Sequence, residues 1–208
     1  MPSTASADPL DALVLEEAAR RLLFTDARTA NTFTDAPVTD EQLRAIYELA
    51  KLPPTAANTN PLRVLYIRPG EARDRLIGLM SEGNRAKTAT APVVAVLATD
   101  HAFHDRIPEL LPFRPELREY FAADEDLRAG SAVFNGALQA AYFILAVRAA
   151  GLAAGPMGGF DRAGVDAAFF AGSDWHSQLV VNIGTPGPDA WFADRLPRVS
   201  YDDAVRHA

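Results

Sequence analysis

The 208-residue sequence contains no cysteine. This absence excludes disulfides, thiolate metal sites and cysteine nucleophiles together, and it fits a reducing compartment. Histidine is also scarce, with four in the chain. His101 and His104 stand three positions apart, but no carboxylate cluster completes a ligand set beside them, so we expect no metal site.

An excess of positive charge is missing as well. Lys and Arg number 20 against 27 Asp and Glu, which gives a formal net charge of −7. A broad basic face for nucleic acid is therefore not expected. The N-terminus, MPSTASADPL, has neither the basic nor the apolar region of a signal peptide, and no apolar run reaches the roughly 20 residues that span a bilayer. We expect a cytoplasmic protein with no nucleic-acid or membrane partner.

Two common enzyme motifs are also absent. No GxSxG elbow is present, so a serine–histidine hydrolase is unsupported. GPMGGFD is rich in glycine but does not match GxGxxG, and no helix opens directly on it. Its glycines have two interpretations: a connection that needs positive φ, or a backbone that a flat ligand can approach closely.

Helices and strands alternate irregularly along the chain. Residues 1–8 predict a disordered tail, and apolar periodicity predicts a helix from Leu10 to Phe24. A second helix, capped by Thr39, ends before the Pro53–Pro54 pair, and its predicted apolar stripe is Leu43, Ile46, Tyr47 and Leu49. The remaining predicted strands are RVLYIRP, APVVAVLAT and SQLVVNIGTP, and the remaining helices include EARDRLIGLMSEGN, ending near Gly83, and RAGVDAAFF. These elements indicate an α+β or α/β fold in three layers.

Two further segments stand out. SAVFNGALQAAYFILAVRAAG is a long helix that is apolar nearly all round, so it is either central to the monomer or buried by a second subunit. Gly151 has the position of its C′ residue. The stretch 101–128 is expected to be irregular and rich in proline and aromatic residues, as in a lid or binding excursion.

Polar residues gather in a few loops. LPPTAANTNPLR carries three prolines, two threonines and two asparagines between regular segments. Arg28, Thr29 and Asn31 lie in another loop, and Asn84 and Lys87 share a face if their segment is helical. Together these supply cations and hydroxyls for a phosphate, amides for a heterocycle edge and glycine backbone for a planar ring. Because no comparable set of acid–base residues exists, the pattern favours chemistry carried by a cofactor.

The ordered series ARTANTF, LPPTAANTNPLR, EGNRAKTATAPVVAVLA, AAGPMGGFD and DRLPR resembles the FMN-dependent nitroreductase family, and within it the branch that contains malonic semialdehyde reductase. The similarity runs from about Phe24 to Val205. It implies an α+β, nitroreductase-like three-layer sandwich whose mostly antiparallel central sheet is flanked by helices. It also implies a domain-swapped homodimer with FMN at the subunit interface. The corresponding domain would span 24–208, after an N-terminal tail and helix at 1–23.

The resemblance also implies site residues. The segment Arg28 to Asn31 would bind the FMN phosphate and ring edge, and Arg195 would bind the phosphate. Asn84 and Lys87 would face the pyrimidine end of the ring, with Lys87 near N1 and O2. Ring contacts are also implied for the partner's loop Pro54, Thr55, Ala56 and Asn58, and for the backbone of Pro156, Met157, Gly158 and Gly159.

Three positions depart from the family pattern. Many relatives carry an acidic residue at Gly158, an arginine at Ala27 and a lysine at Ala193. A backbone role survives at Gly158, and the phosphate charge would then rest on Arg28 and Arg195.

The implied activity is a ping-pong reaction in which NADH or NADPH reduces the flavin and a small molecule then oxidises it. The branch resemblance favours reduction of malonic semialdehyde, with Phe103, Arg106 and Phe113 of the lid as substrate contacts and Arg106 as partner of a carboxylate. Reduction of nitroaromatics, quinones or enones remains open. So do a flavin-binding protein without turnover and a purely structural dimer.

Overall fold

The computed structural model describes residues 9–191 and 194–208. The tail predicted for residues 1–8 lies outside the described residues. The chain divides into two compact units. Unit 1 consists of the chain up to Ala27, Thr39–Leu62 and Asp100–Leu152, and unit 2 of Arg28–Val38, Arg63–Thr99 and the chain from Ala153 onward. The expected division at residue 24 stays a prediction.

Regular elements occupy most of the described chain. The helices are α1 (Glu17–Arg20), α2 (Asp40–Ala50), α3 (Glu71–Leu79), α4 (Glu82–Thr90), α5 (Ile107–Leu110), α6 (Leu117–Ala122), α7 (Glu125–Ala149), α8 (Arg162–Phe169) and α9 (Tyr201–Ala204). The strands are β1 (Leu62–Ile67), β2 (Val93–Asp100), β3 (Ala153–Met157) and β4 (Trp175–Gly184). Short 3-10 turns lie at Pro9–Ala12, Ala56–Asn58 and Phe103–Arg106, and a π-helical turn at Arg21–Thr25.

Helix α2 begins and ends as expected from its sequence. The Thr39 hydroxyl accepts the Gln42 N–H at 3.2 Å, and the Gln42 side chain accepts the Thr39 N–H at 2.9 Å, which completes a capping box. The buried stripe differs in part from the prediction. Leu43 and Ile46 are buried with Ala50, whereas Tyr47 and Leu49 are exposed. Burial thus follows positions i, i+3 and i+7, because this narrow face packs on α7.

Helix α7 is the long element of unit 1 and begins at Glu125, six residues before the predicted start. The Asp124 carboxylate caps it by accepting the Leu127 N–H at 3.0 Å. At the other end Gly151 has a φ of 75°. The Gly151 N–H bonds the Arg148 carbonyl at 2.9 Å and the Leu152 N–H bonds the Val147 carbonyl at 3.2 Å. These bonds form a Schellman motif, and Gly151 is the C′ residue as predicted.

Helix α7 bears on whether any segment could span a membrane. Within the described ranges it is the one helix that is long and apolar enough to do so by length and composition. Its buried side includes two amides, Asn135 and Gln139, that bond to backbone N–H groups of unit 1. This is the pattern of a helix packed inside a protein.

Unit 2 is built on a four-stranded sheet with the order β1-β2-β4-β3. Strand β2 is buried at every position, as its continuous apolar sequence predicts. Strands β3 and β4 are antiparallel, with Gly155 opposite Asn182 and Met157 opposite Val180. The core of unit 2 gathers side chains from the sheet, from α3 and α8 and from the segment around Phe33.

Arg73 is a buried cation inside unit 2, only 2% exposed. Its guanidinium donates to three backbone carbonyls: Ile67 at 2.6 Å, Thr88 at 2.9 Å and Ala91 at 2.7 Å. It thereby ties the end of β1 to the C-terminal end of α4. Burial lowers the pKa of Arg73 to about 10, with nearby Asp74 acting in the opposite direction, so the group stays charged at neutral pH.

Four predicted elements differ in the structure. The helix expected from Leu10 to Phe24 is continuous only over Glu17–Thr25, where it contacts α7. EARDRLIGLMSEGN is two helices, broken at Met80 and Ser81, because both residues bond to the segment Gly159–Phe160. The excursion 101–128 is largely helical, and the first residues of GPMGGFD belong to β3, so its loop begins at Gly158.

Replacement of Arg73 tests its role. Arg73→Met leaves three buried carbonyls without a donor, at about 1–3 kcal/mol each, so we expect the free energy of unfolding to fall by at least about 3 kcal/mol. Arg75→Met is the control, since the exposed Arg75 side chain rests on the Phe169 ring at 5.0 Å, a contact that contributes about 0.5–1 kcal/mol. Unfolding by guanidinium chloride measures the free energy of unfolding of both variants. Equal losses of this free energy in the two variants would contradict the assigned role of Arg73.

Candidate functional site

The loop LPPTAANTNPLR is fixed within unit 1 by side-chain hydrogen bonds of its asparagines and Thr55. The Asn58 amide donates to the Leu110 carbonyl at 2.8 Å, and the Asn60 amide donates to the Asn58 carbonyl at 2.7 Å. Thr55 accepts the Asn60 N–H at 3.2 Å. Pro54, Ala56 and Asn58 are exposed and Thr55 is partly exposed, so these four predicted cofactor residues form one accessible loop.

The three predicted lid residues of unit 1, Phe103, Arg106 and Phe113, differ in burial and in partners. Phe103 is fully buried and packs edge-on against Phe121, with ring centroids 5.1 Å apart. Its side chain therefore supports the lid, while Phe113 is 77% exposed. Arg106 donates to both carboxylate oxygens of Glu109, at 3.0 and 2.8 Å. Any carboxylate substrate would have to compete with Glu109 for this guanidinium.

In unit 2 the segment that carries Arg28, Thr29 and Asn31 runs along the chain after β4. The Asn31 N–H donates to the Ala190 carbonyl at 3.0 Å, and the Asn31 amide also donates to that carbonyl at 3.3 Å. The Arg28 guanidinium lies over the Trp191 ring, 5.2 Å from its centroid. The aromatic face of Trp191 thus orients the Arg28 guanidinium.

Helix α4 and the glycine turn of unit 2 are directly bonded. The Asn84 amide donates to the Gly159 carbonyl at 2.9 Å, and the Ser81 N–H donates to the same oxygen at 3.1 Å. Asn84 and Lys87 lie three positions apart on one helix, as predicted, with Lys87 half-buried. Among the described residues Lys87 has no ion-pair partner. The structure therefore joins the predicted Asn84 to the predicted Gly159, with Lys87 three positions further along the same helix.

Met157 contributes through its backbone, because its side chain lies in the core at 5% exposure. The buried Thr88 hydroxyl and Asn182 amide both lie 3.9 Å from its sulfur. Pro156 has no N–H to offer, so the amide donors of this segment are those of Met157, Gly158 and Gly159.

The C-terminal part of the predicted site is exposed. Arg195 lies in the segment before α9, outside any regular element. Ala193, one of the positions that depart from the family pattern, lies outside the described residues. In the ranges 9–191 and 194–208 no group of three or more His, Asp and Glu side chains could hold a metal ion.

Several residues near these segments were not singled out from the sequence. Trp191 supports Arg28, Arg73 ties down α4, and Asn135 and Gln139 bond the loop of unit 1. The two amides had a visible signal: they stand four positions apart in an otherwise apolar helix, where a polar side chain needs a partner. The sequence gives no such signal for Trp191 and Arg73, because their partners are distant along the chain.

The two neighbouring glycines give a matched test of the turn. A Cβ on Gly159 would stand 2.8 Å from the Asn84 amide nitrogen and 3.1 Å from the Ser81 hydroxyl, whereas a Cβ on Gly158 would meet no atom within 4 Å. We expect Gly159→Ala to lower the free energy of unfolding by about 1–3 kcal/mol. Gly158→Ala should stay within about 0.5 kcal/mol of the original chain. Chemical denaturation measures both, and a neutral Gly159→Ala would contradict the packing.

Comparisons with known proteins agree with this arrangement. The sequence profile of the Nitroreductase family matches residues 25–185. A Streptomyces coelicolor protein with the provisional name NADH dehydrogenase/NAD(P)H nitroreductase is 60% identical over 184 residues, 88% of this chain and 90% of its own length.

Two solved structures share the fold. A nitroreductase family protein from Streptococcus pneumoniae superposes with a TM-score of 0.79 at 23% identity, over 89% of this chain and 98% of its own. A nitroreductase from Exiguobacterium sibiricum, crystallised with FMN, superposes with a TM-score of 0.75 at 20% identity. The superposition covers 88% of this chain and 93% of that protein. The expected nitroreductase-like α+β fold is confirmed, and the chain belongs to the Nitroreductase family.

Proposed function

We propose that this chain is an FMN-dependent NAD(P)H oxidoreductase that works as a homodimer. One observation carries the proposal: the bond between the Asn84 amide and the Gly159 carbonyl sets the Lys87 helix beside the glycine turn. These are the two segments that the family resemblance assigns to the flavin ring. The name of the Streptomyces coelicolor relative and the FMN complex of the Exiguobacterium sibiricum protein support the same class.

The chemistry of the residues fits this cofactor. FMN, when bound, accepts and donates hydride at its N5 atom, first from NADH or NADPH and then to an acceptor. Lys87 offers an ammonium group with no carboxylate partner among the described residues, which favours negative charge on a neighbouring ring. Gly158 leaves open space where a side chain would stand, so a planar group can approach the backbone.

The phosphate would be held by cations at two places. Arg28 is oriented by the Trp191 ring, and Thr29 is exposed beside it. Arg195 would supply a second guanidinium. Bidentate guanidinium bonds are the usual way in which a few local cations hold a phosphate on a protein with net negative charge.

A second copy of the chain is the proposed occupant of the exposed face of α7. This face is apolar throughout: Val133, Phe134, Leu138 and Tyr142 are 49%, 66%, 39% and 45% exposed, with Ala137 and Ala141 between them. Continuous apolar surface of this kind favours burial in an oligomer. In the dimer the loop Pro54 to Asn58 of each copy would lie along the flavin bound by the other.

The acceptor is proposed only as a class. The bond of Arg106 to Glu109 gives malonic semialdehyde no particular support, so that substrate stays a prediction. A nitroaromatic acceptor agrees better with the names of the relatives, and quinones and enones stay as further candidates of the same class. The cytoplasmic location also stays a prediction.

Flavin reduction tests the proposed activity. The purified chain should bind FMN, and NADH or NADPH should bleach its visible absorbance without oxygen. Lys87→Met should slow this bleaching about a hundredfold, because the charge that grows on the ring loses its counter-charge. Lys87→Arg keeps the charge, so its bleaching rate should lie between those of the unaltered chain and Lys87→Met. Bound FMN that stays yellow would indicate a flavin-binding protein without turnover, and no FMN binding would contradict the proposal.

The proposed dimer face has its own test. Phe134→Glu with Leu138→Glu places two charges in the interface, and dimerisation should weaken by at least about 3 kcal/mol, roughly a hundredfold in Kd. Ala167→Glu on the exposed side of α8 is the control and should leave the dimer intact. Sedimentation velocity measures both; a Phe134→Glu/Leu138→Glu variant that sediments as the unaltered chain does would contradict this interface.

A further inference from the structure

We propose that Asn135 and Gln139 of α7 are positioning residues for the cofactor: they hold the loop 53–61, hereafter the flavin loop, in the shape that meets FMN. The inference rests on the proposed function. Neither residue belongs to the set that the family resemblance assigns to the flavin.

The two amides bond the flavin loop at both of its ends. Asn135 Oδ1 accepts the Ala56 N–H at 2.7 Å, and Gln139 Oε1 accepts the Leu62 N–H at 2.9 Å. Both side chains are almost completely buried, at 1% and 2% exposure. The loop backbone is therefore attached to α7 just inside its first residues and just beyond its last.

The remaining polar atoms of these amides are also occupied. The Asn135 amide donates to the Ser131 carbonyl at 2.9 Å, and the Gln139 amide donates to Asn60 Oδ1 at 3.4 Å. A buried amide destabilises a helix unless its hydrogen bonds are made. Since an apolar side chain would serve packing equally well at these two positions, their specific contribution is the contact with the loop.

The flavin loop needs such attachment because its backbone is strained. Ala57, Asn58 and Asn60 have φ values of 51°, 49° and 43°. Asparagine tolerates this left-handed region, but at Ala57 it costs roughly 1–2 kcal/mol. Strained backbone persists only where surrounding contacts determine it. Here the contacts are the α7 amides on one side and the Leu110 carbonyl, which binds Asn58, on the other.

The consequence for binding is preorganisation. A loop already fixed in its binding shape loses little conformational freedom when a ligand arrives, so affinity rises without any new contact. Loss of the two amides should free the loop while α7 stays in place through Phe143 and its apolar neighbours. The expected effect is therefore weaker FMN binding in a chain that still folds.

The experiment compares two changes inside α7. Asn135→Leu with Gln139→Met removes both loop contacts, whereas Phe143→Leu disturbs a fully buried α7 residue and leaves both amides in place. FMN affinity is measured by quenching of flavin fluorescence, melting temperature by circular dichroism, and loop opening by amide hydrogen exchange. We expect the double variant to bind FMN at least about tenfold more weakly. A change of this size corresponds to the net contribution of one or two hydrogen bonds. Residues 54–62 should also exchange faster. Phe143→Leu should lower the melting temperature about as much as the double variant does, but it should keep the FMN affinity of the unaltered chain.

The outcomes separate this inference from the proposed function. If the unaltered chain binds FMN and the double variant binds it equally well, the inference is wrong while the proposed function stands. If the unaltered chain binds no FMN, both fall. If the double variant does not fold, Asn60→Gly decides, since it keeps the positive φ but removes the contacts to Gln139 and Asn58. Severalfold weaker FMN binding would support the inference, and unchanged binding would overturn it.

Discussion

The two faces of α7 set the constraint on which the rest of the proposed site depends. One face is buried in unit 1, where Asn135 and Gln139 bond the backbone of the flavin loop. The opposite face is apolar and exposed, with Phe134 at its centre. An apolar outer side favours burial by a partner, and a second copy that covered it would fix the orientation of the same helix that holds the loop. Dimer formation and loop geometry would then be linked through one rigid element.

In unit 2 the residues proposed to contact the flavin are held in a different way. Its polar residues are held by backbone carbonyls: the Gly159 carbonyl receives Asn84 and Ser81, and the carbonyl at Thr88 in α4 receives Arg73. Of the two cations of α4, Arg85 donates to the Met80 carbonyl at 3.0 Å, and the Lys87 ammonium has no ion-pair partner among the described residues. The buried Arg73 guanidinium donates to three carbonyls through its two terminal nitrogens, while its Nε makes no hydrogen bond. Its position is therefore fixed by these carbonyls and not by a carboxylate that pH could neutralise.

Local sequence signals predicted much of the fold. The capping box at Thr39, the C′ glycine at Gly151 and the fully buried β2 all depend on a few neighbouring residues, and all are confirmed. The errors arose where distant contacts overrule local pattern. The Gly159–Phe160 segment divides the predicted helix at Met80, and the helix expected from Leu10 keeps its form only where it meets α7.

The candidate site was predictable as a set of segments but not as a set of contacts. Asn84, Lys87 and the glycine turn were expected to act together, and the structure joins them. The burial of Phe103 and the bond of Arg106 to Glu109 depend on helices that the irregular sequence of the lid did not indicate. The strain at Ala57 was hidden too, because alanine carries no sign of a left-handed backbone.

A flavin site shared between two copies is tested most directly by subunit complementation. One variant carries Arg28→Ala with Lys87→Met, which removes the cations that its own copy would supply to the flavin. The other variant carries Ala56→Trp, which obstructs the loop that its copy would supply to the partner's flavin. Neither variant alone should bind FMN. After the two are unfolded together and refolded, random pairing in a two-fold dimer should restore about a quarter of the original FMN sites. A mixture that binds no FMN, although each variant folds and dimerises, would contradict the shared site.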